Sequence, residues 1–490
     1  MTSNQTISTT TSSHTPDSTA ASVTGPIHEV VATPVADIAG VVERARAAFD
    51  SGVTRPMSWR IDRLRALRQV LVDGEAELLD ALYADLRKPN IEGWATDIAV
   101  TIGEIDHTLA HLRRWMRPER VRLPLASRPG TGRIVREPLG VALIIAPWNY
   151  PVQLLFGPMA AAMSAGNTVV GKPSELAPNV ATAAARLIDR FLADDSVGIV
   201  QGGVDETTVL LQQRFDHILY TGNGRVARVV MAAAAQHLTP VTLELGGKSP
   251  AIVAADADVA LAAKRIAWGK FLNAGQTCIA PDHVLVDASV EAEFTDALVD
   301  AIGTFYGTDP QASPDYARIV NAGHLRRIEK YIGDGEVVTG GQVDADDLYV
   351  APTVLRSVDP DSAVMNDEIF GPVLPIVAVN GVGDAIARVN ANDKPLALYV
   401  FTRSRPTADR VLSSTSSGGA CVNHVVYHVA APQLPFGGVG PSGMGAYHGR
   451  AGFEVFSHRR SVLTKPNWVD PPVAYPPFTS LKKKIIKRFL

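Results

Sequence analysis

Residues 141–175 read VALIIAPWNYPVQLLFGPMAAAMSAGNTVVGKPSE. The opening run Val141–Ala146 is continuously apolar, as a strand buried on both faces requires. Pro147 and Pro151 then break the backbone pattern around Trp148 and Asn149. A helix is expected from Met159–Ala165 onward, and a second strand at Thr168–Gly171. No Asp, Glu, Lys or Arg occurs between Leu139 and Gly171, a length that could span a membrane. The prolines at 147, 151 and 158, with Asn149, Gln153 and Asn167 among them, favour strand, loop and core helix instead.

The same alternation continues downstream. Val180–Leu192 reads as a helix, and Val197–Gln201, His217–Tyr220 and Val241–Glu244 as strands with helices between them. Strands alternating with helices imply a parallel sheet in a doubly wound α/β domain. A second alternating region runs from about Ser249 to Ser414. Upstream, Ile38 to Trp115 carries helical periodicity, with Leu64, Leu67 and Leu71 on one face and Leu78, Leu82 and Leu86 following. Pro124 to Leu139 holds Pro and Gly around a short β-prone run, which suggests an extended, hairpin-like excursion. Residues 1–25 are rich in Ser and Thr and are expected to be disordered. The chain ends on LKKKIIKRFL, where Leu481, Ile485 and Phe489 recur at helical spacing among basic residues. Such a helix can touch anionic lipid, dock on a partner subunit or stay solvated.

A chain of 490 residues, 46% hydrophobic, has material for about three units of ordinary size. Its net charge of −4 argues against nucleic-acid binding. Two cysteines cannot build a disulfide framework, which points to a reducing, cytoplasmic setting where a thiol stays free. The N-terminus has no charged start followed by an apolar run, so no secretory signal is expected. No His/Cys/Asp cluster has metal-ligand spacing, so no metal is expected.

Two segments carry reactive side chains: LELGGKSP with Glu244, and FLNAGQTC with Cys278. A thiolate needs access and hydrogen-bond donors, which a Gly/Gln/Thr loop supplies. A separate carboxylate can act as base for water, the pairing that covalent catalysis finished by hydrolysis requires. Composition alone leaves Cys278 open to being an ordinary core cysteine. Cys421 lies among small and β-branched residues and reads as core. Glu244 has a competing reading. GNGRVA at 222–227 fits the dinucleotide pattern G-x-G-x-x-G/A, and Glu244 stands about 20 residues beyond it, where a ribose-binding acid is usual.

These segments resemble the signatures of the NAD(P)-dependent aldehyde dehydrogenase superfamily. IIAPWNYP at 144–151, GKPSE at 171–175, YTGNGRVAR at 220–228, EIFGPVLP at 368–375 and LPFGGVGPSGMG at 434–445 follow in the right order. The likeness runs from about Val30 to about Asn467, and YHG at 447–449 with the glycine-dense segment is most similar to the class 3 branch, which takes fatty and aromatic aldehydes. The resemblance implies an α/β fold with two doubly wound domains and a small β bridging or oligomerisation element. The cofactor-binding domain would cover residues 26–246, interrupted by a bridging segment near 119–137. The catalytic domain would cover 247–415, residues 416–466 would return to the cofactor domain and the bridge, and 467–490 would form the basic tail. It makes Cys278 the nucleophile, Asn149 an oxyanion donor and Glu244 the base that activates the deacylating water. Ala146, Pro147, Trp148, Lys172, Glu175, Gly222, Asn223, Glu368 and Phe370 would hold the cofactor, with Lys172 and Glu175 at the adenosine ribose and Glu368 and Phe370 at the nicotinamide. Glu175 favours NAD, since a 2′-phosphate would be repelled, although the branch often accepts NADP. A homodimer is implied. His424 departs from the Asp that relatives usually carry, which puts local hydrogen bonding in doubt. Gly437, Gly438, Gly440 and Gly443 could cradle a phosphate, but tight backbone packing is the preferred reading. A semialdehyde dehydrogenase, a CoA-acylating relative and a non-catalytic scaffold protein are the alternatives; Glu244 speaks against the CoA reading, which needs no water-activating carboxylate.

Overall fold

The computed structural model describes residues 31–489. The stretch 1–25, expected to be disordered, lies outside the described residues. The N-terminal helical region resolves into helices Val35–Asp50, Met57–Asp73, Glu75–Leu86, Asn90–Gly93 and Val100–Trp115, with a π-helical turn at Trp94–Ala99. Leu64, Leu67, Leu71, Leu78, Leu82 and Leu86 are all buried, as their periodicity requires.

The first sheet is built from the quoted stretch outward. Its order is Gly443–Met444, Val241–Glu244, His217–Thr221, Val141–Ile145, Thr168–Lys172 and Val197–Ile199. The last five are parallel to one another. Val141–Ile145 is buried at every position, which is why it reads as an unbroken apolar run. The helix after it spans Gln153–Ala165 and so begins earlier than Met159. Pro158 is the sixth of its 13 residues, so the helix runs through a proline at the cost of one interior backbone donor. Gly166, at φ +92°, closes the helix in the left-handed conformation.

The second sheet has the order Glu336–Thr339, Thr353–Arg356, Val373–Val379, His283–Asp287, Pro250–Val253, Ala397–Phe401 and Gly419–Val422. Only Glu336–Thr339 runs antiparallel. Gly419–Val422 lies after the boundary expected at 415 yet pairs with Ala397–Phe401 in this sheet. The Pro/Gly-rich excursion forms a third, antiparallel sheet of Glu119–Val121, Thr131–Pro138 and Ser457–Thr464. Two α/β units and a small β element are therefore present. Among the described residues no helix is long and apolar enough to cross a membrane.

Candidate active site

Strand order in the first sheet reverses at Val141–Ile145. The strands that follow it in sequence lie first on one side, at Thr168–Lys172, and later on the other, at His217–Thr221. Ligands of open α/β sheets bind outside the carboxyl ends of strands at such a switch point. Ala146–Asn149 leave one of these strand ends, and Gly222 and Asn223 leave the other. Lys172 and Glu244 are themselves the last residues of the strands Thr168–Lys172 and Val241–Glu244. One edge thus gathers eight of the predicted positions from four segments of chain.

The loop before Cys278 is held in an uncommon conformation. Asn273, Ala274 and Gly275 have φ of 52°, 51° and 75°. Side-chain amides compensate. The Asn273 amide donates to the Asn149 carbonyl at 2.9 Å and to the Gln276 carbonyl at 3.2 Å. Gln276 Nε2 donates to the Asn273 carbonyl at 3.0 Å and to the Arg318 carbonyl at 2.9 Å, and its Oε1 accepts from Val320 N–H at 3.0 Å. Asn149 Nδ2 donates to the Gln276 carbonyl at 3.0 Å. Asn149 and Cys278, far apart in sequence, therefore meet through Gln276. An amide nitrogen carries two donors, so one remains for a ligand oxygen.

The carboxylates come next. Both oxygens of Glu244 are buried without a hydrogen bond of normal geometry. Burial pushes its pKa well up, and the neighbouring Tyr447 phenol offsets only part of this. Glu368 is pushed up to about 7 by burial, and its Oε1 also lacks a partner. It packs on the double glycine: a Cβ on Gly246 would lie 1.9 Å from Glu368 Oε1. Burial, then the charges of Glu244 and Glu368, raise the Cys278 thiol well above its usual range, while the backbone N–H groups of Cys278 and Ile279 pull it down. Burial and the neighbouring carboxylates thus disfavour the thiolate, while the two backbone N–H groups favour it.

Cys278 lines a cavity of about 230 Å³ whose walls are mostly apolar, with Val100, Leu154, Trp268, Leu272 and Phe436 among them. Trp148 meets Phe370 edge to face at 5.4 Å and His324 at 5.2 Å, an aromatic cluster joining the two units. Phe370 is itself at φ +45°, and the Arg327 guanidinium clamps the Ile369 carbonyl at 2.7 Å and those of Glu368 and Phe370 at 3.4 Å each. Lys172 is buried, with Nζ donating to the Pro173 carbonyl at 2.8 Å and to Glu175 Oε2 at 3.4 Å. Asn223 caps the helix Gly224–Ala235 by accepting from Val226 N–H at 3.0 Å, so its side chain already has a structural task.

A family model described as the aldehyde dehydrogenase family matches residues 9–462. The chain belongs to the aldehyde dehydrogenase family. It is 47% identical over 442 residues to the dimeric, NADP-preferring aldehyde dehydrogenase of Canis lupus familiaris, covering 90% of this chain and 98% of the relative. It is 46% identical over 451 residues to aldehyde dehydrogenase family 3 member A2 of Mus musculus, covering 92% and 93%. Among solved structures, a substrate-bound state of Staphylococcus aureus AldH superposes with a TM-score of 0.89 at 42% identity, covering 92% of this chain and 98% of that one. An NAD+ complex of a Mycobacterium tuberculosis aldehyde dehydrogenase gives a TM-score of 0.81 at 28% identity, covering 89% and 92%.

Within this aldehyde dehydrogenase, the glycine-dense loop packs against backbone. A Cβ on Gly437 would lie 2.2 Å from the Gly445 carbonyl oxygen, on Gly438 2.0 Å from that of Ser442, and on Gly443 2.4 Å from that of Leu243. Gly443 pairs with Glu244 itself, so the loop fixes the end of that carboxylate's strand. Only Gly440 faces open space. At the departure from the family pattern, His424 Nδ1 lies 2.8 Å from the Val425 carbonyl oxygen, and the ring faces Tyr427 at 4.3 Å and Trp268 at 5.9 Å. Tyr447, quoted above only as part of YHG, is the neighbour of Glu244, and the motifs did not single out the Arg327 clamp or Lys88 with Asp97 beneath Asn149. Among the described residues no group of three His, Cys, Asp or Glu could hold a metal ion.

Proposed function

We propose that this enzyme oxidises medium- or long-chain aliphatic or aromatic aldehydes to carboxylic acids, with NAD as acceptor and NADP as an alternative. The observation that carries the reading is Cys278 in the wall of an apolar cavity, tied through Gln276 to the Asn149 amide. In this reading Cys278 loses its thiol proton to solvent, and the thiolate attacks the aldehyde carbon, moving the C=O π pair onto oxygen to give a thiohemiacetal anion. The developing oxyanion is met by Asn149 Nδ2–H and the Cys278 N–H; one such donor is worth roughly 3–4 kcal/mol of barrier. A nicotinamide dinucleotide held by Lys172, Glu175 and Glu368 would supply the hydride acceptor, and loss of hydride from the thiohemiacetal carbon would leave a thioester on Cys278. Glu244 takes a proton from water, which attacks the thioester carbon, and the acid leaves as the thiol is restored. A carboxyl group whose pKa is raised by burial is a stronger base for that proton than an exposed one.

Several features fit a nicotinamide dinucleotide. Glu368 keeps a buried, unpartnered oxygen able to accept from a ribose hydroxyl. Lys172 and Glu175 offer a donor and an acceptor at a strand end, and the helix at Gly224 presents backbone N–H groups to an anion. The first sheet would then be the cofactor-binding unit and the second the catalytic one. The cavity walls, with no Lys or Arg among the residues lining them, favour an uncharged aldehyde tail over a semialdehyde's carboxylate. A homodimer through the edge strand Ser457–Thr464 fits the word dimeric in the canine relative's name; a monomer mass by light scattering would sink it. The protein is taken as cytoplasmic, with peripheral lipid contact through the helix Ser480–Phe489, where Leu481 and Ile485 are exposed among lysines. Unchanged co-sedimentation with anionic vesicles after deletion of 481–490 would reject that contact.

The deciding experiment follows absorbance of reduced nicotinamide with a panel of aldehydes, with and without CoA, for the wild type and Cys278→Ala. Turnover to free acid without CoA, abolished in the variant, is expected. Turnover only with CoA would overturn the role of Glu244.

A further inference from the structure

Lys88 and Asp97 form an ion pair at 2.9 Å with both side chains fully buried. Such a pair seldom adds net stability, because desolvating two charges costs about as much as their attraction returns. The partners of this one converge on a single turn. Lys88 Nζ donates to the Asn149 carbonyl at 2.9 Å and lies 4.1 Å from the centre of the Tyr150 ring. Asp97 Oδ1 accepts from Val152 N–H at 3.2 Å and from Gln153 N–H at 3.3 Å, the first donors of the helix that follows. The pair therefore grips the Asn149 turn from both ends. Asp97 is carried on the π-helical turn Trp94–Ala99, a rare geometry that recurs at functional sites. The Asn273 amide shares the Asn149 carbonyl with Lys88, so the same oxygen joins the ion pair to the loop that bears Cys278.

We propose that Lys88, held by Asp97, is a positioning residue for the oxyanion site. By fixing the Asn149 carbonyl it fixes the peptide from which the Asn149 amide reaches toward Cys278. The inference rests on the reading of Asn149 as oxyanion donor. Displacing such a donor by about 1 Å costs on the order of 100-fold in rate.

The test is a cycle of wild type, Lys88→Met, Asn149→Ala and the double variant, with kcat, aldehyde KM and cofactor Kd by fluorescence quenching. Lys88→Met is expected to lower kcat by about 10- to 100-fold and leave cofactor Kd nearly unchanged. On the Asn149→Ala background the same change should cost less than about threefold, because the group it positions is gone. An equal loss on both backgrounds, or no loss on either, overturns the proposal while leaving Asn149 in its role. Wild-type turnover in Asn149→Ala overturns the oxyanion reading and this proposal with it. If Lys88→Met does not fold, the charge-neutral pair Lys88→Met/Asp97→Asn carries the cycle, since Asn retains an acceptor for Val152 N–H. Failure of both to fold makes the pair a stability element only and rejects the positioning role.

Discussion

Gly275 and Gly371 meet backbone to backbone: a Cβ on Gly275 would lie 2.2 Å from the Gly371 carbonyl oxygen. The contact presses the loop that carries Cys278 onto the segment that carries Glu368 and Phe370. Gly275→Ala should therefore be damaging twice, through its φ of +75° and through the collision. Gly381 is a control, since its φ is +81° but nothing lies within 4 Å of a Cβ there. Gly381→Ala is expected to lose about 1 kcal/mol of stability with kcat unchanged. Gly275→Ala should lose more, roughly 3 kcal/mol, and most of kcat. Equal effects of the two in thermal melts and turnover would show that only the dihedral matters.

Glu244→Gln separates chemistry from stability. With no base for water, the variant should release one equivalent of reduced nicotinamide and then stall as thioester. Continued steady turnover would reject the base. On stability the sign is opposite to a salt-bridged acid. Burial raises the folded-state pKa, so above the ordinary carboxylate pKa the folded protein holds a proton that the unfolded chain has lost. Stability then falls as pH rises, until the pH passes the folded-state pKa. Each pH unit in that window costs the wild type about 1.4 kcal/mol that the Gln variant keeps. Denaturant titrations of the two proteins should diverge with rising pH; parallel curves would mean that Glu244 is not buried as a neutral acid.

The fold was legible because its strands announce themselves. Val141–Ile145 is apolar throughout since helices cover both its faces, and the glycine- and proline-marked loops follow at the strand ends. Cys278 and Glu244 could be named as candidates because each stands near glycine in a segment of distinctive sequence. What the chain concealed is long-range. Lys88 reads as an ordinary surface lysine after a helix, and only packing brings it under Asn149. Tyr447 and Arg327 are likewise ordinary until Glu244 and the Glu368–Phe370 backbone arrive beside them from other elements. The helix start at Gln153 was obscured by Pro158, which reads as a helix breaker although it lies inside the helix.

Val100 lines the cavity around Cys278 from the start of the helix Val100–Trp115. Val100→Phe fills volume that a long or aromatic tail would use and leaves the reacting end untouched. The expected result is a loss in kcat/KM on the order of tenfold or more for decanal and benzaldehyde, with acetaldehyde little affected. A uniform loss across chain lengths, measured at matched cofactor saturation, would place the substrate tail elsewhere.

Lys172 and Glu175 make the last prediction, on the choice between NAD and NADP. The Lys172 ammonium is anchored on the Pro173 carbonyl, and burial lowers its pKa while Glu175 raises it. Glu175 is exposed, and in the proposed reading its carboxylate is the acceptor for the ribose hydroxyls and brings a negative charge beside them. The 2′-phosphate of NADP brings up to about two further negative charges, as other phosphomonoesters do. Glu175 therefore repels it, whereas Lys172 attracts it. Glu175→Gln keeps an acceptor and removes the repulsion, so kcat/KM for NADP should rise by about tenfold while that for NAD falls by a few-fold. Because the carboxylate faces solvent, its effect is screened. The gain for NADP should shrink as ionic strength goes from about 0.01 M to about 1 M, where the Debye length contracts from about 30 Å to about 3 Å. A cofactor ratio that neither the substitution nor salt alters would mean that the ribose does not lie at Glu175, and that Lys172 pairs with it for structure alone.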